Sequence, residues 1–192
     1  MANSAAVLAP HRKLRDMHAV TILFVGSESI NVNILAKAVM ERSGKRYDKV
    51  NFNINCRTAV KLPLPADPDN KRPNIDYIVF LTDNNKDSFA NMKRSLRYLD
   101  VEFFLGKMSL VLVSKPSDIE SEVTMITEDN LHNLADTCRT TPLFVDLENA
   151  EDTKAVADIL LYTIEIAAGF KQGVSSLLLM GSRRPYNRFE EL

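Results

Sequence analysis

Ala19-Val-Thr-Ile-Leu-Phe-Val-Gly26 runs directly into Ser27-Glu-Ser-Ile-Asn-Val-Asn-Ile-Leu35, and the reading of this stretch decides the fold. Val20 to Val25 is an unbroken apolar run rich in β-branched residues, the pattern of a strand buried on both faces. Gly26 ends it. Ile30, Ile34, Leu35, Ala38 and Val39 then recur at helical spacing, and the helix is expected to stop near Ser43-Gly44. Strand, glycine and helix together are the frame of a phosphate-binding loop, whose working pattern is GxxxxGK(S/T).

The frame lacks the chemistry. Gly26 fills the first position, but the second glycine is Asn31, the lysine is Val32 and the hydroxyl residue is Asn33. Asn31 carries a side chain where backbone must approach phosphate. Val32 offers no cation to the β and γ phosphates. Asn33 lacks the hydroxyl that would hold Mg²⁺, and Glu28 adds a negative charge to the loop. The loop is expected to bind neither phosphate nor metal.

Working outward, the apolar run recurs. Ile75–Leu81 and Met108–Val113 read as buried strands, and Val50–Ile54 alternates as a half-exposed edge strand. Pro142 opens a strand over Leu143–Leu147. Phe89, Met92, Leu96 and Leu99 mark an amphipathic helix starting near Asp87. Leu131, Leu134, Ala135 and Cys138 mark a short helix capped by Thr127. Asn149 and Asp152 resemble a capping pair for a last long helix. That helix buries Ala155, Val156, Ile159, Leu160, Ile166 and Ala167 and ends at Gly169. Lys61 to Pro73 holds prolines 63, 65, 68 and 73 and must be loop. Alternating strands and helices with short connections define a three-layer α/β domain with a mostly parallel sheet. In such sheets ligands bind outside the carboxyl ends of the strands.

The GTPase motifs can be sought there. A DxxG motif needs Asp three residues before a glycine, and none of the six glycines has it. The one glutamine, Gln172, lies past the last long helix. Where NKxD would read guanine stands Ser114-Lys115-Pro116-Ser117, and where a Ser-Ala-Lys loop would stand is Asp146-Leu147-Glu148. Nucleotide chemistry is missing at each position while the strand and helix pattern persists.

At fold level the order of elements resembles a Ras-like small GTPase, with Phe80-Leu-Thr-Asp-Asn-Asn-Lys-Asp-Ser-Phe89 similar to that family's fourth strand entering its third helix. A closer resemblance is to the centromere protein M family. It rests on Ala19–Gly26, Leu62-Pro-Leu-Pro65, Arg72-Pro-Asn-Ile-Asp-Tyr-Ile-Val-Phe80, Ser95-Leu-Arg97, Phe103-Phe-Leu-Gly-Lys107, Thr141-Pro-Leu143, Asp146-Leu-Glu148, Ala168-Gly169, Gly173-Val-Ser175 and Glu190-Glu-Leu192. These segments span roughly 19–192 in order; the segment before residue 19 is expected to depart from the family. The resemblance implies a Ras-like pseudo-GTPase without cofactor, metal or catalysis. It further implies a scaffold in the inner kinetochore, at the centromere in the nucleus, in complex with centromere proteins I, H and K. The residues alone leave open a genuine nucleotide-binding GTPase and a small-molecule-binding α/β domain such as a flavodoxin-like one.

Composition excludes other classes. Lys plus Arg number 24 against 25 Asp plus Glu, a net charge of -1, so no global basic field for nucleic acid exists. Hydrophobic residues at 45% suit a chain that buries a real core. No run of 18 apolar residues occurs, and no apolar signal-peptide core stands near the amino terminus, so membrane insertion and secretion are not expected. Cys56 and Cys138 lie outside any CxxC and read as free thiols of a reducing compartment. His11, His18 and His132 are scattered without metal-ligand spacing. Lys86, Lys93, Arg94 and Arg97 on one helix, and Arg183, Arg184 and Arg188 near the end, lack the interleaved aromatics of a nucleic-acid platform. They read as solvated charge or as contacts for an acidic protein, with no sequence-specific nucleic acid binding expected.

The organisation expected is a flexible tail over 1–17, one small-GTPase-like domain over 18–181 with an extension from about 170, and a polar tail over 182–192. The extension carries Leu177-Leu-Leu-Met180, four large apolar residues past a finished core, which require cover. Spread around a helical turn, they cannot all face the domain. Leu177 and Leu178 are therefore candidate partner-binding residues, with Leu105 in the Phe103-Phe-Leu105 run as a second candidate.

Overall fold

Among the described residues of a computed structural model stand five strands and four α-helices. The described residues are 8, 19–46, 53–65, 74–114, 122–170 and 174. In order they form β1 (Ala19–Gly26), α1 (Val32–Arg46), β2 (Asn53–Ala59), β3 (Tyr77–Thr82) and α2 (Lys86–Leu96). A short 3₁₀ turn, η1 (Val101–Phe104), leads into β4 (Met108–Val113), α3 (Glu122–Cys138), β5 (Pro142–Val145) and α4 (Ala150–Ala167).

The strands lie in the order β2-β1-β3-β4-β5, and every pairing is parallel. This is a doubly wound order with its switch point between β1 and β3. It also matches the parallel part of a Ras-like sheet; the antiparallel edge strand such a sheet adds outside β2 is not among the described residues. Parallel strands covered on both faces read as continuous apolar runs. Accordingly β3 is buried along its whole length and β1 is buried from Val20 onward.

Two cores result, one on each face. Ile22, Phe24, Val79 and Val111 meet α1 and α4 on the first, where Leu35, Leu160 and Ile164 are buried. Leu23, Phe80, Leu110 and Phe144 meet α2, η1 and α3 on the second, around Met92, Phe103 and Leu131. The β2–β3 connection crosses the second face, burying Leu62 and Ile75 and donating the Leu62 amide to Ser95 Oγ at 3.1 Å.

Several sequence expectations shift. Gly44 does not end α1; the helix continues to Arg46, and a Cβ at Gly44 would meet nothing within 4 Å. The edge strand expected over 50–54 is β2, described at 53–59, where it pairs with β1; residues 50–52 lie outside the described residues, and the strand runs on past Ile54 to Ala59. The short helix is α3, 17 residues long, with Thr127 inside it instead of capping it. Asn149 does cap α4, accepting from the Glu151 and Asp152 amides. Asp152 does not return the bond: its carboxylate takes the Asp146 amide at 2.6 Å. Ala155 is exposed, because the buried stripe of α4 runs through Val156, Ala157, Leu160, Leu161 and Ile164. Gly169 ends α4 as expected, at φ 76°. Its amide bonds Ile166 and the next amide reaches Glu165, a Schellman closure.

The amino-terminal segment, expected to be a flexible tail, holds one residue in place. Leu8 pairs with Leu99 in an isolated parallel bridge and packs against the second core.

Candidate functional site

The carboxyl ends of β1, β3, β4 and β5 surround one cleft of about 410 Å³. Ser29, Ile30, Asn31 and Ile34 line it from the β1–α1 loop, Asp83, Asn84 and Asn85 from the β3–α2 loop, Ser114 from β4, and Asp146, Leu147 and Glu148 from the β5–α4 loop. The fold thus brings together the positions at which GTPase motifs were sought.

Locally the β1–α1 loop is closed on itself. The Ile30 amide donates to the Ser27 carbonyl at 3.0 Å, the Val32 amide to the Ile30 carbonyl at 2.8 Å, and the Ile34 amide to the Asn31 carbonyl at 3.1 Å. A phosphate nest needs successive amides pointing outward; here loop carbonyls take the amides of Ile30, Val32 and Ile34. Val32 is buried at 8% exposure, turned into the first core. A Cβ built on Gly26 would lie 2.6 Å from Val32 Cγ1. The glycine that looks like a phosphate-loop glycine is required by the valine that stands where such a loop has lysine. Asn31 and Asn33 are exposed, Asn31 at the cleft.

Hydroxyls tie this loop to the next. Ser29 Oγ donates to Asp83 Oδ2 at 2.7 Å and lies 2.7 Å from Ser27 Oγ. Ser27 Oγ in turn lies 3.1 Å from Ser88 Oγ, to which Thr82 Oγ1 donates at 3.2 Å. Asp83 Oδ1 accepts the Asn85 amide at 3.1 Å. In the β5–α4 loop the Glu148 amide bonds Asp146 Oδ1 at 2.9 Å and the Asn149 amide bonds the Asp146 carbonyl at 3.2 Å. A base-reading loop would present amides here; these two are already engaged. The charged side chains among the described lining, Asp83, Asp146 and Glu148, are all acidic. Phosphates entering the cleft would meet like charge.

Elsewhere the candidates separate. Leu105 is 40% exposed, in the turn before β4 and so at the amino-terminal end of the sheet, away from the cleft. Val101 beside it, at 70%, is the most exposed large apolar residue described and was missed by a sequence reading that sought runs of apolar residues. Leu177 and Leu178 lie outside the described residues, as do Arg183, Arg184 and Arg188. Lys86, Lys93, Arg94 and Arg97 are all exposed on α2, with Lys93 Nζ 5.2 Å above the Phe89 ring. Cys138 is buried and Cys56 half-buried, both free; burial pushes the Cys56 thiol up to about 12 and the Cys138 thiol upward as well. His132 is exposed and faces the Phe144 ring at 5.6 Å. Among the described residues no group of three His, Cys, Asp or Glu is placed to hold a metal, and no helix is long and apolar enough to cross a membrane.

Fold and site together define a class: a three-layer α/β domain on the small-GTPase plan, with its β1–α1 loop folded shut. The family profile described as centromere protein M matches residues 5–186. The chain is 34% identical over 185 residues to centromere protein M of Bos taurus, covering 94% of this chain and 97% of that one. It is 32% identical over 180 residues to centromere protein M of Homo sapiens, covering 93% and 94%. Among solved structures, the FeoB G-domain of Methanococcus jannaschii overlays with a TM-score of 0.49 at 11% identity, covering 77% of this chain and 99% of that one. The chain belongs to the centromere protein M family. The match begins at residue 5, so the segment expected to depart from the family is largely inside it.

Proposed function

We propose that this chain is a non-catalytic scaffold subunit of the inner kinetochore, a pseudo-GTPase that acts at the centromere by holding partner proteins. The observation that carries the reading is family membership over 5–186, nearly the whole chain. The partners we propose are centromere proteins I, H and K. The shut loop supports the absence of nucleotide chemistry: Val32 fills the space over Gly26, and the amides of Ile30 and Val32 bond within the loop. Without a γ-phosphate there is no ligand whose differential affinity could drive a switch.

The test is affinity purification of the tagged full-length chain from nuclei, with identification of stably bound proteins. Co-enrichment of centromere proteins I, H and K is expected, and it should be lost in Leu105→Glu, Leu177→Glu or Leu178→Glu chains that keep the parent melting curve. Absence of all three partners from the parent purification would overturn the scaffold reading. Calorimetric titration with GDP and Mg²⁺ is expected to be silent, and a saturable exotherm would overturn the pseudo-GTPase reading.

A further inference from the structure

The β5–α4 loop presents a nearly sealed carboxylate to the cleft. Asp146 is 8% exposed and lines the cleft wall. One of its oxygens, Oδ1, accepts the Glu148 amide at 2.9 Å. The other, Oδ2, accepts no hydrogen bond among the described residues. Asp83 across the cleft differs, with Oδ2 taking the Ser29 hydroxyl and Oδ1 the Asn85 amide. The backbone that carries Asp146 is held by three bonds. Its amide donates to Asp152 Oδ2 at 2.6 Å, and its carbonyl accepts the Asn149 amide and the Thr153 hydroxyl, each at 3.2 Å.

A buried carboxylate is costly unless an opposite charge compensates it. No cation stands among the described lining residues. Cations on the adjoining helices are engaged elsewhere: Arg42 pairs with Asp158, and Lys154 with Glu151. Asp83 and Glu148 in the lining, and Asp152 behind the loop, add charge of the same sign. Apolar walls focus such a field into the cleft.

Those walls also define the shape of what could answer it. Ile30, Ile34, Val113 and Leu147 give the cleft a hydrocarbon surface beside the carboxylate. A metal ion needs several oxygen ligands converging on one point, and no group of three His, Cys, Asp or Glu among the described residues is placed to supply them. The volume of about 410 Å³ falls in the range of small-molecule sites, about 300–1,000 Å³. A cation on a hydrocarbon stem matches both surfaces, its stem on carbon and its head on the carboxylate.

We propose that the cleft is a binding site for an organic cation, a guanidinium or primary ammonium on a short aliphatic stem, with Asp146 Oδ2 as its counter-charge. The same chemistry can arrive as a free amine or as the arginine or lysine side chain of another protein. The inference stands apart from the scaffold reading, since it requires no named partner.

An NMR titration of the isotope-labelled full-length chain with n-butylguanidinium tests it. The amide signals of Asn31, Ser114 and Glu148 should shift saturably, and n-butylurea, the neutral isostere, should move none of them. Methylguanidinium, which lacks the stem, should bind about tenfold or more weakly. Asp146→Asn keeps an acceptor for the Glu148 amide and should weaken n-butylguanidinium by about tenfold or more. Glu148→Gln, at the exposed rim, should weaken it by no more than about fivefold. Agmatine and a blocked arginine tripeptide separate the two sources. Binding of the tripeptide supports a partner's side chain, and binding of agmatine alone supports a free amine. No saturable shift with any of these cations, equal shifts with n-butylurea, or unchanged affinity in Asp146→Asn would overturn the proposal. If Asp146→Asn fails to fold, Ile34→Ser decides, because Ile34 is exposed at the cleft: severalfold weaker binding supports the site, and unchanged affinity rules it out.

Discussion

The two ends of the sheet differ in how they treat polar and apolar groups. At the carboxyl ends, where an α/β domain places its chemistry, serines, asparagines and carboxylates bond to one another and to loop amides. At the amino ends, Val101 and Leu105 stand exposed beside a buried Phe103. At the cleft the described polar groups mostly engage one another, with Asn84 Oδ1 among the exceptions; at the amino end Val101 stands out as the most exposed large apolar residue described, though Val60 beyond β2 and Ile34 at the cleft are exposed as well. A fold can keep its architecture while its loops change, because layer packing depends on the apolar runs and not on the loops.

The largest expected effect tests whether the amino end is a rigid support. Phe103 in η1 is fully buried in the second core, so Phe103→Ala should cost about 3–5 kcal/mol in denaturant unfolding. A loss below about 1 kcal/mol would mean the corner collapses freely and presents no fixed surface. At the other end, Gly26→Ala drives a Cβ to 2.6 Å from Val32 Cγ1 and should cost about 1–3 kcal/mol. In a Val32→Ala background that cost should largely disappear, a coupling measurable by double-mutant cycle. Additive costs would break the account of the shut loop.

Smaller effects refine the contrast. Asn149→Ala removes the side chain that accepts two amides at the start of α4, beside the cleft, and should lower the unfolding free energy by about 1 kcal/mol. Val101→Ser, at 70% exposure, should leave the unfolding midpoint within about 0.5 kcal/mol of the parent. A large loss there would show the residue to be part of the core and not of the exposed face.

The strands were legible because burial on both faces writes an unbroken apolar run, and β1, β3 and β4 carry such runs. The end of β2 was placed five residues early, at Ile54 and not Ala59, because Asn53–Ala59 is mostly polar and pairs on one side only, so little apolar signal marks its bounds. The end of α1 was misread at Gly44, where a glycine inside a helix meets no steric demand that would distinguish it from a terminal one. The loss of the phosphate-loop residues could be read by counting from Gly26, but the bonds that close the cleft could not. Ser29 to Asp83 and Ser27 to Ser88 join residues 54 and 61 positions apart, which periodicity does not register. Leu8 escaped for a similar reason: a single rung repeats nothing, so it leaves no pattern.

The contact between Gly26 and Val32 couples two positions of one loop. Val32→Lys would withdraw a branched side chain from the first core and leave the space over the glycine open, while the Ile30 amide still pointed to Ser27. Lysine at 32 alone is thus expected not to recover nucleotide. Reopening the loop, supplying the cation and removing the acidic lining would each be harmful or neutral alone and useful only in combination. The closure of the loop is thus expected to yield only to substitutions made together.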